Sequence, residues 1–175
     1  GKVEQGKMVL NDFGKIIKLE NEHFLIAGNI YYEDSLGNDS TFLSITEIDN
    51  FGNLVFNRVY SFGENVGVYG LMTMEDSSYV ICGYISDSSS SVIKSYIVRF
   101  DDVGNVILAK KYNLSVGSMY FTTYPIKDDS LIYCVGSMFE NSFEQIIIFC
   151  VSELGDLYWA KSLTKPLGSP APYSF

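Results

Sequence analysis

One histidine, His23, serves the whole chain. That scarcity removes most acid–base machinery. No Ser-His-Asp set can be assembled without His23, and no GxSxG elbow is present. His23 follows the polar stretch "ENE" and reads as a surface residue of a turn. Cations are also few, 12 Lys and Arg against 21 Asp and Glu, for a net charge of −9. No Lys/Arg cluster is present to release counterions, which argues against nucleic acid as a partner. The same acidity argues against docking on anionic lipid. The longest apolar run is "IIIFCV" at 146–151, far short of a bilayer span, so no direct membrane insertion is expected. The first residues carry no signal-peptide pattern.

Cysteine is sparse as well: Cys82, Cys134 and Cys150. None sits in a CxxC pair, and an odd count at this spacing fits neither a disulfide framework nor zinc. All three fall inside apolar runs and read as buried thiols acting as small hydrophobes. A hairpin turning near residue 141 would set Cys134 opposite residues near 148, which does not favour a Cys134–Cys150 bridge. "GENVGVYG" at 63–70 is glycine-rich but has neither GxGxxG spacing nor a P-loop lysine. "EDSLGNDS" at 33–40 lacks the ligand order of a calcium loop and reads as a solvated loop. No catalytic residue, metal ligand or cofactor is expected on these grounds.

What the chain does have is apolar and aromatic: 47% hydrophobic residues, 13 Tyr, 12 Phe and 15 Gly. Helical spacing is rare. The composition fits a globular all-β chain with many tight turns. It also repeats. "DNFGNLVFNRVY", "DDVGNVILAKKY" and "SELGDLYWAKSL" place Gly52, Gly104 and Gly155 52 and 51 residues apart. "GKVEQGKMV" fits the same frame with Gly1 in the turn. Six residues after each glycine stands a cation: Lys7, Arg58, Lys110 and Lys161. A second glycine set, Gly28, Gly83 and Gly136, ends "HFLIAG", "YVICG" and "IYCVG". Each unit of about 52 residues reads as four strands, A to D, with polar tight turns between A and B and between C and D.

A four-stranded antiparallel sheet with this sequence is apolar on both faces. In strand D of the second unit, Val106 and Leu108 alternate with Ile107 and Ala109. Such a sheet needs a neighbour on each side, and radial stacking of like sheets supplies both; the expected fold is therefore an all-β β-propeller. Pro125 falls in strand A of the third unit, an edge position where a missing N–H is tolerated. A β-sandwich and a β-solenoid are the weaker architectures, since neither accounts for a 52-residue period. The expected organisation is part of one propeller across 1–175: a final strand at about 1–9, blades at about 13–60, 68–112 and 121–163, and the start of a further blade at 164–175. That register reads as a segment of a longer polypeptide. Self-assembly of copies into one ring is the rival reading.

"TMEDSSYVICGYI", "SYIVRFDDVGNVILAKKY" and "GDLYWAKSL" resemble the propeller repeats of secreted and surface proteins of Bacteroidota and other bacteria. Their usual pattern is a polar turn, a "GYI-xx-G-x-T"-like strand, then "D-xx-G-N-xx-W-xK-xY". The W position holds Phe56, Leu108 and Trp159, so one unit alone keeps the tryptophan. The resemblance implies an extracellular or cell-surface location.

The repeated cations read as scaffold groups that run along blade edges or pair with turn carboxylates. The variable B–C and D–A loops are the better place for function. They would carry Tyr31, Tyr32, Asp34, Phe62, Tyr84, Tyr120 and Phe139, aromatics with acids among them that suit a protein or glycan partner. Packing between blades is the competing use of several of these rings. The expected function is a non-catalytic scaffold or binding module. The alternatives are a structural subunit of a larger assembly, such as a surface machine or virion, and a propeller enzyme whose catalytic residues lie outside this segment.

Overall fold

A computed structural model of the chain describes residues 8–33, 39–63, 65–86, 93–114, 124–128, 130–140 and 143–164. Among them every regular element is a strand, twelve in all, arranged as three four-stranded antiparallel sheets. Sheet one holds β1 (Met8–Lys18), β2 (Phe24–Glu33), β3 (Asp39–Ile48) and β4 (Leu54–Tyr60). Sheet two holds β5 (Asn65–Thr73), β6 (Tyr79–Ser86), β7 (Ile93–Phe100) and β8 (Val106–Tyr112). Sheet three holds β9 (Tyr124–Asp128), β10 (Leu131–Glu140), β11 (Phe143–Ser152) and β12 (Leu157–Thr164). Each sheet is a meander in chain order, as a repeat of strand, turn, strand dictates. Pro125 lies on the edge strand β9, opposite Cys134, where its lack of an N–H interrupts no second neighbour.

The first strand differs from expectation. Met8 and Val9 pair with Tyr32 and Tyr31, so they belong to β1 and not to a separate final strand at 1–9. The register shifts between Asn11 and Lys15, and β1 continues past that irregularity to Lys18. Gly1, Lys7 and the 164–175 blade start lie outside the described residues, apart from Thr164, which ends β12.

The core sits between the sheets, in two layers. Alternation along β6 shows why. Tyr79, Ile81 and Ile85 face sheet one, against Leu25, Leu43 and Ile45. Val80 and Cys82 face sheet three, against Ile132, Cys134 and Phe149. Sheet two is thus covered on both faces, as its two-sided apolar pattern requires. Each such residue contributes about 1.5–3 kcal/mol on burial. All three cysteines are free and buried, and Cys134 pairs with Phe149 across the hairpin while Cys150 pairs with Tyr133. The fourth strands depart from the expected pattern: Val106 and Ile107 are both exposed, as are Leu54 and Val55 in β4. The fourth strand is an edge, and the two central strands carry most of the burial.

The turns before the fourth strands do two jobs. Asp49 Oδ1 accepts the N–H groups of Phe51 and Asn53, and Asp101 does the same for Val103 and Asn105. Ser152 Oγ plays this part in sheet three. Gly52, Gly104 and Gly155 take φ of 84°, 85° and 75°, the left-handed region a side chain resists. The preceding sheet then clasps the turn. Arg58 Nε donates to Val103 O at 2.8 Å and the Tyr60 hydroxyl donates to Gly104 O. One sheet on, Lys110 lies 3.8 Å from Asp156 and the Tyr112 hydroxyl donates to Gly155 O at 2.8 Å. Arg58 and Lys110, two of the four repeated cations, thus reach the neighbouring turn. Lys161 differs, with its ammonium 5.5 Å from the Trp159 ring centre. Exposed ion pairs of this sort contribute roughly 0–1 kcal/mol, so apolar packing holds the sheets together and the clasps fix how they are stepped.

Gly52 and Gly104 separate the two jobs. A Cβ on Gly52 would meet nothing within 4 Å, whereas one on Gly104 would meet Arg58 Cδ at 2.8 Å. Gly52→Ala should cost about 1–2 kcal/mol, the left-handed strain alone. Gly104→Ala should cost about 1 kcal/mol more, from the displaced clasp. Urea midpoints of the two variants test this, and equal losses would show that the clasp contributes nothing.

Candidate functional site

The two ends of the sheets differ in character. Tight turns crowd one end, and the β2–β3, β6–β7 and β4–β5 connections lie at the other. At the turn end, a cleft of about 350 Å³ opens between sheets one and two. Sheet one lines it with Lys18, Glu20 and Glu47, and sheet two with Thr73, Tyr79 and Asp102.

Glu47 is the buried charged residue among the described residues, at 5% exposure. It stands in β3 beside the bulge that offsets β4, with its side chain toward sheet two. His23 Nδ1 lies 2.6 Å from Glu47 Oε1, within hydrogen-bond distance. The surface-turn reading of His23 is therefore corrected: the imidazole side chain is 28% exposed and partners a buried carboxylate. A desolvated carboxylate needs such a partner, because burial without one costs several kcal/mol. Tyr79 donates to Asp102 O at 3.4 Å. Burial pushes its phenol up to about 12, and the negative charges of Glu47, Asp102 and Asp101 add to the effect. The cleft is thus an acidic environment, not a neutral gap. Lys18 is its cation, and that ammonium is engaged with Glu22.

The corresponding junction between sheets two and three holds charges of both signs. Arg99 Nη2 lies 2.6 Å from Asp76 Oδ2, Nε donates to Ser78 Oγ at 2.8 Å, and Nη1 donates to Glu153 O at 3.3 Å. Lys127 Nζ lies 3.0 Å from Glu75 and 3.4 Å from Glu153. The hydrogen bond from the Ser78 hydroxyl holds the Asp76 carboxyl below its usual range, with Arg99 contributing.

The residues expected to bind a partner are spread along the opposite end. Tyr31 and Tyr32 are half-buried at the end of β2, with Tyr32 edge-on to Phe42 at 6.5 Å. Phe62 packs against the core between sheets one and two, 6.2 Å from the Tyr96 ring. Tyr84 packs toward sheet three, 5.6 Å from Tyr69, and its ring fills the space beside Gly67 that a Cβ would need. Phe62 and Tyr84 therefore serve packing between sheets. Phe139 is placed in β10 opposite Glu144. Asp34 and Tyr120 lie outside the described residues. Tyr31 and Tyr32 are adjacent in β2 and so project to opposite faces of the sheet. Among the described residues no group of three or more His, Cys, Asp or Glu could hold a metal ion.

The sequence reading missed Glu47, and a signal for it existed. In "FLSITEID" it is the one charge among the strand residues before the turn, and Arg99 occupies the matching place in "SYIVRFD". A charge of opposite sign at one repeat position marks a place where adjacent sheets differ.

His23→Ala should destabilise the fold by about 1–3 kcal/mol by stranding a buried carboxylate. In a Glu47→Gln background the same change should cost less. Chemical denaturation of the four proteins gives the coupling, expected at about 0.5 kcal/mol or more, and a zero coupling would mean that the contact carries no stability. Asp76 predicts a pH dependence. Its folded carboxyl titrates below the unfolded value of about 3.9, so its stabilisation is complete above that value and is lost as pH falls through the folded one. Asp76→Asn should lower the urea midpoint at pH 7 and leave it unchanged once the pH is below both. No protein-family model matches the chain, and no curated protein matches it.

Proposed function

We propose that the chain is a run of β-propeller blades acting as a non-catalytic scaffold or binding module of a secreted or cell-surface bacterial protein. The observation that carries this reading is the repeated step between sheets. The fourth strand of sheet one clasps the turn of sheet two through Arg58 and Tyr60, and sheet two clasps sheet three in the same way through Lys110 and Tyr112. A constant step between like sheets generates either a ring or an open superhelix. Closed rings of four-stranded sheets hold about four to eight blades, so the remaining blades come from the same polypeptide or from further copies. The partner is a protein or a glycan, met by the ends of the sheets where side chains differ between repeats. Tyr31 and Tyr32 at one end and the acidic cleft at the other are the surfaces for it.

Electron microscopy of the protein tests the architecture. A ring of four-stranded sheets about a central channel is the expected outcome. An open stack with no closing contact would overturn the propeller reading. For the binding role, any sugar bound on a glycan array should be lost in either Tyr31→Ala or Tyr32→Ala, whichever face it occupies, and retention in both would exclude this end of sheet one.

A further inference from the structure

The two junctions between sheets correspond position by position. Every fourth strand is offset by a bulge at the same place, between Glu47 and Ile48, Arg99 and Phe100, and Cys150 and Val151. Glu47 and Arg99 are therefore equivalent. Past the bulge, Phe100 pairs with Tyr79, which pairs with Thr73, while Val151 pairs with Ile132, which pairs with Lys127. Thr73 and Lys127 are equivalent too. Asp102 and Glu153 each follow the residue whose N–H closes the turn, Asp101 and Ser152. Glu20 and Glu75 follow Leu19 and Met74, which close the matching turns on His23 and Ser78.

Two acids recur at both junctions, Glu20 with Glu75 and Asp102 with Glu153, whereas Asn21 stands in place of Asp76 and His23 in place of Ser78, and the cations differ. Between sheets two and three, Glu75 and Glu153 meet Lys127, and Arg99 reaches across to the Glu153 carbonyl. Those cations are largely covered, with 12% of the Arg99 side chain and 16% of the Lys127 side chain exposed. Between sheets one and two, Glu20 and Asp102 remain, but Glu47 replaces the arginine and Thr73 replaces the lysine. All four line the open cleft of about 350 Å³.

We propose that this cleft binds a basic side chain, an arginine guanidinium or a lysine ammonium, presented by a partner polypeptide. The volume admits one such side chain. Glu20 and Asp102 stand at the cleft's rim in the places of the two acids that hold Lys127, and Glu47 lies deeper with Oε1 paired to His23 Nδ1 at 2.6 Å. A guanidinium carries five N–H donors in a rigid fork and suits carboxylates beside the Ser77 and Thr73 hydroxyls. The apolar parts of Leu19, Met74 and Tyr79 suit an alkyl stem better than a bare ion, which wants six or more oxygens. The sister junction shows the chemistry in place, since its own arginine and lysine take the matching positions. The proposal names the partner chemistry for the binding role above and rests on that role, but not on ring closure.

The test is a titration of the full chain with N-acetyl-L-arginine amide, followed by amide chemical shifts. Saturable shifts at Ser77, Tyr79 and Asp102 are expected. The uncharged isostere N-acetyl-L-citrulline amide should give none. Asp102→Asn should weaken binding about tenfold, equivalent to about 1.4 kcal/mol, while Asp156→Asn at the far sheet should leave it unchanged. Thr73→Lys restores the cation found at the sister junction and should abolish binding while raising the melting temperature. No saturable shift, an equal response to citrulline, or indifference to Asp102→Asn would overturn the proposal. Two further arms read the source of the cation. Putrescine binding more tightly than the peptide acetyl-Gly-Arg-Gly-amide would overturn a polypeptide partner in favour of a free amine. Calcium chloride displacing the arginine amide from the same residues would overturn it in favour of an inorganic cation. A ring that fails to close in electron microscopy leaves these shifts unaffected, so the two readings fail separately.

Discussion

Sheet two must be covered on both faces, and the rest of the molecule follows from that. Val80 and Cys82 alternate with Tyr79 and Ile81 along one strand, and all four are buried. An antiparallel pair can be solvated on one side at no great cost, but a central strand apolar on both sides cannot. The cover has to come from sheets of similar size and twist. The neighbouring repeats supply them, because their own central strands carry the same two-sided pattern. Leu25 and Ile45 close one face, and Ile132 and Phe149 close the other.

Packing of this kind is non-directional, so it does not by itself fix the step from one sheet to the next. The turns contribute that. Each carries a glycine in the left-handed region, held by an aspartate or serine that takes two backbone N–H groups. A turn so constrained presents the same carbonyl at the same place in every repeat. The tyrosine hydroxyls of the preceding sheets find it at Gly104 and Gly155. The turn glycine thus serves two demands, a backbone angle within its own hairpin and room for the clasp of its neighbour. Tyr60 and Tyr112 show what the repeat reading left out: eight residues past the glycine, a tyrosine recurs in two units, and its partner lies in the next unit.

The fold was more legible than the candidate site for the same reason. The 52-residue period, the turn glycines, the capping aspartates and the edge proline are local signals, and each describes a hairpin complete in itself. Tyr84 and Phe62 carry no such signal. They sit near loops, as an exposed aromatic would, yet their rings turn inward because Gly67 leaves a space for one and the Tyr96 ring meets the other. His23 read as a turn residue because nothing adjacent in the chain reveals Glu47, 24 residues away. The fourth strands erred the other way. Val106 and Ile107 looked like core on composition but lie on an edge.

The sequence alone determined the strand count per unit, the position of each turn and the two-sided apolar character of the central strands, because periodicity and turn chemistry act over a few residues. Only the tertiary structure decided which charges meet. Glu20, Glu47, Thr73 and Asp102 are spread over 83 positions and come from two sheets, and they share one cleft because face-to-face packing brings the turn ends of those sheets together. The same positions one sheet further on hold Arg99 and Lys127, and there the junction is filled by its own ion pairs. Whether a repeat position closes a junction or leaves it open depends on the residue it faces across the gap.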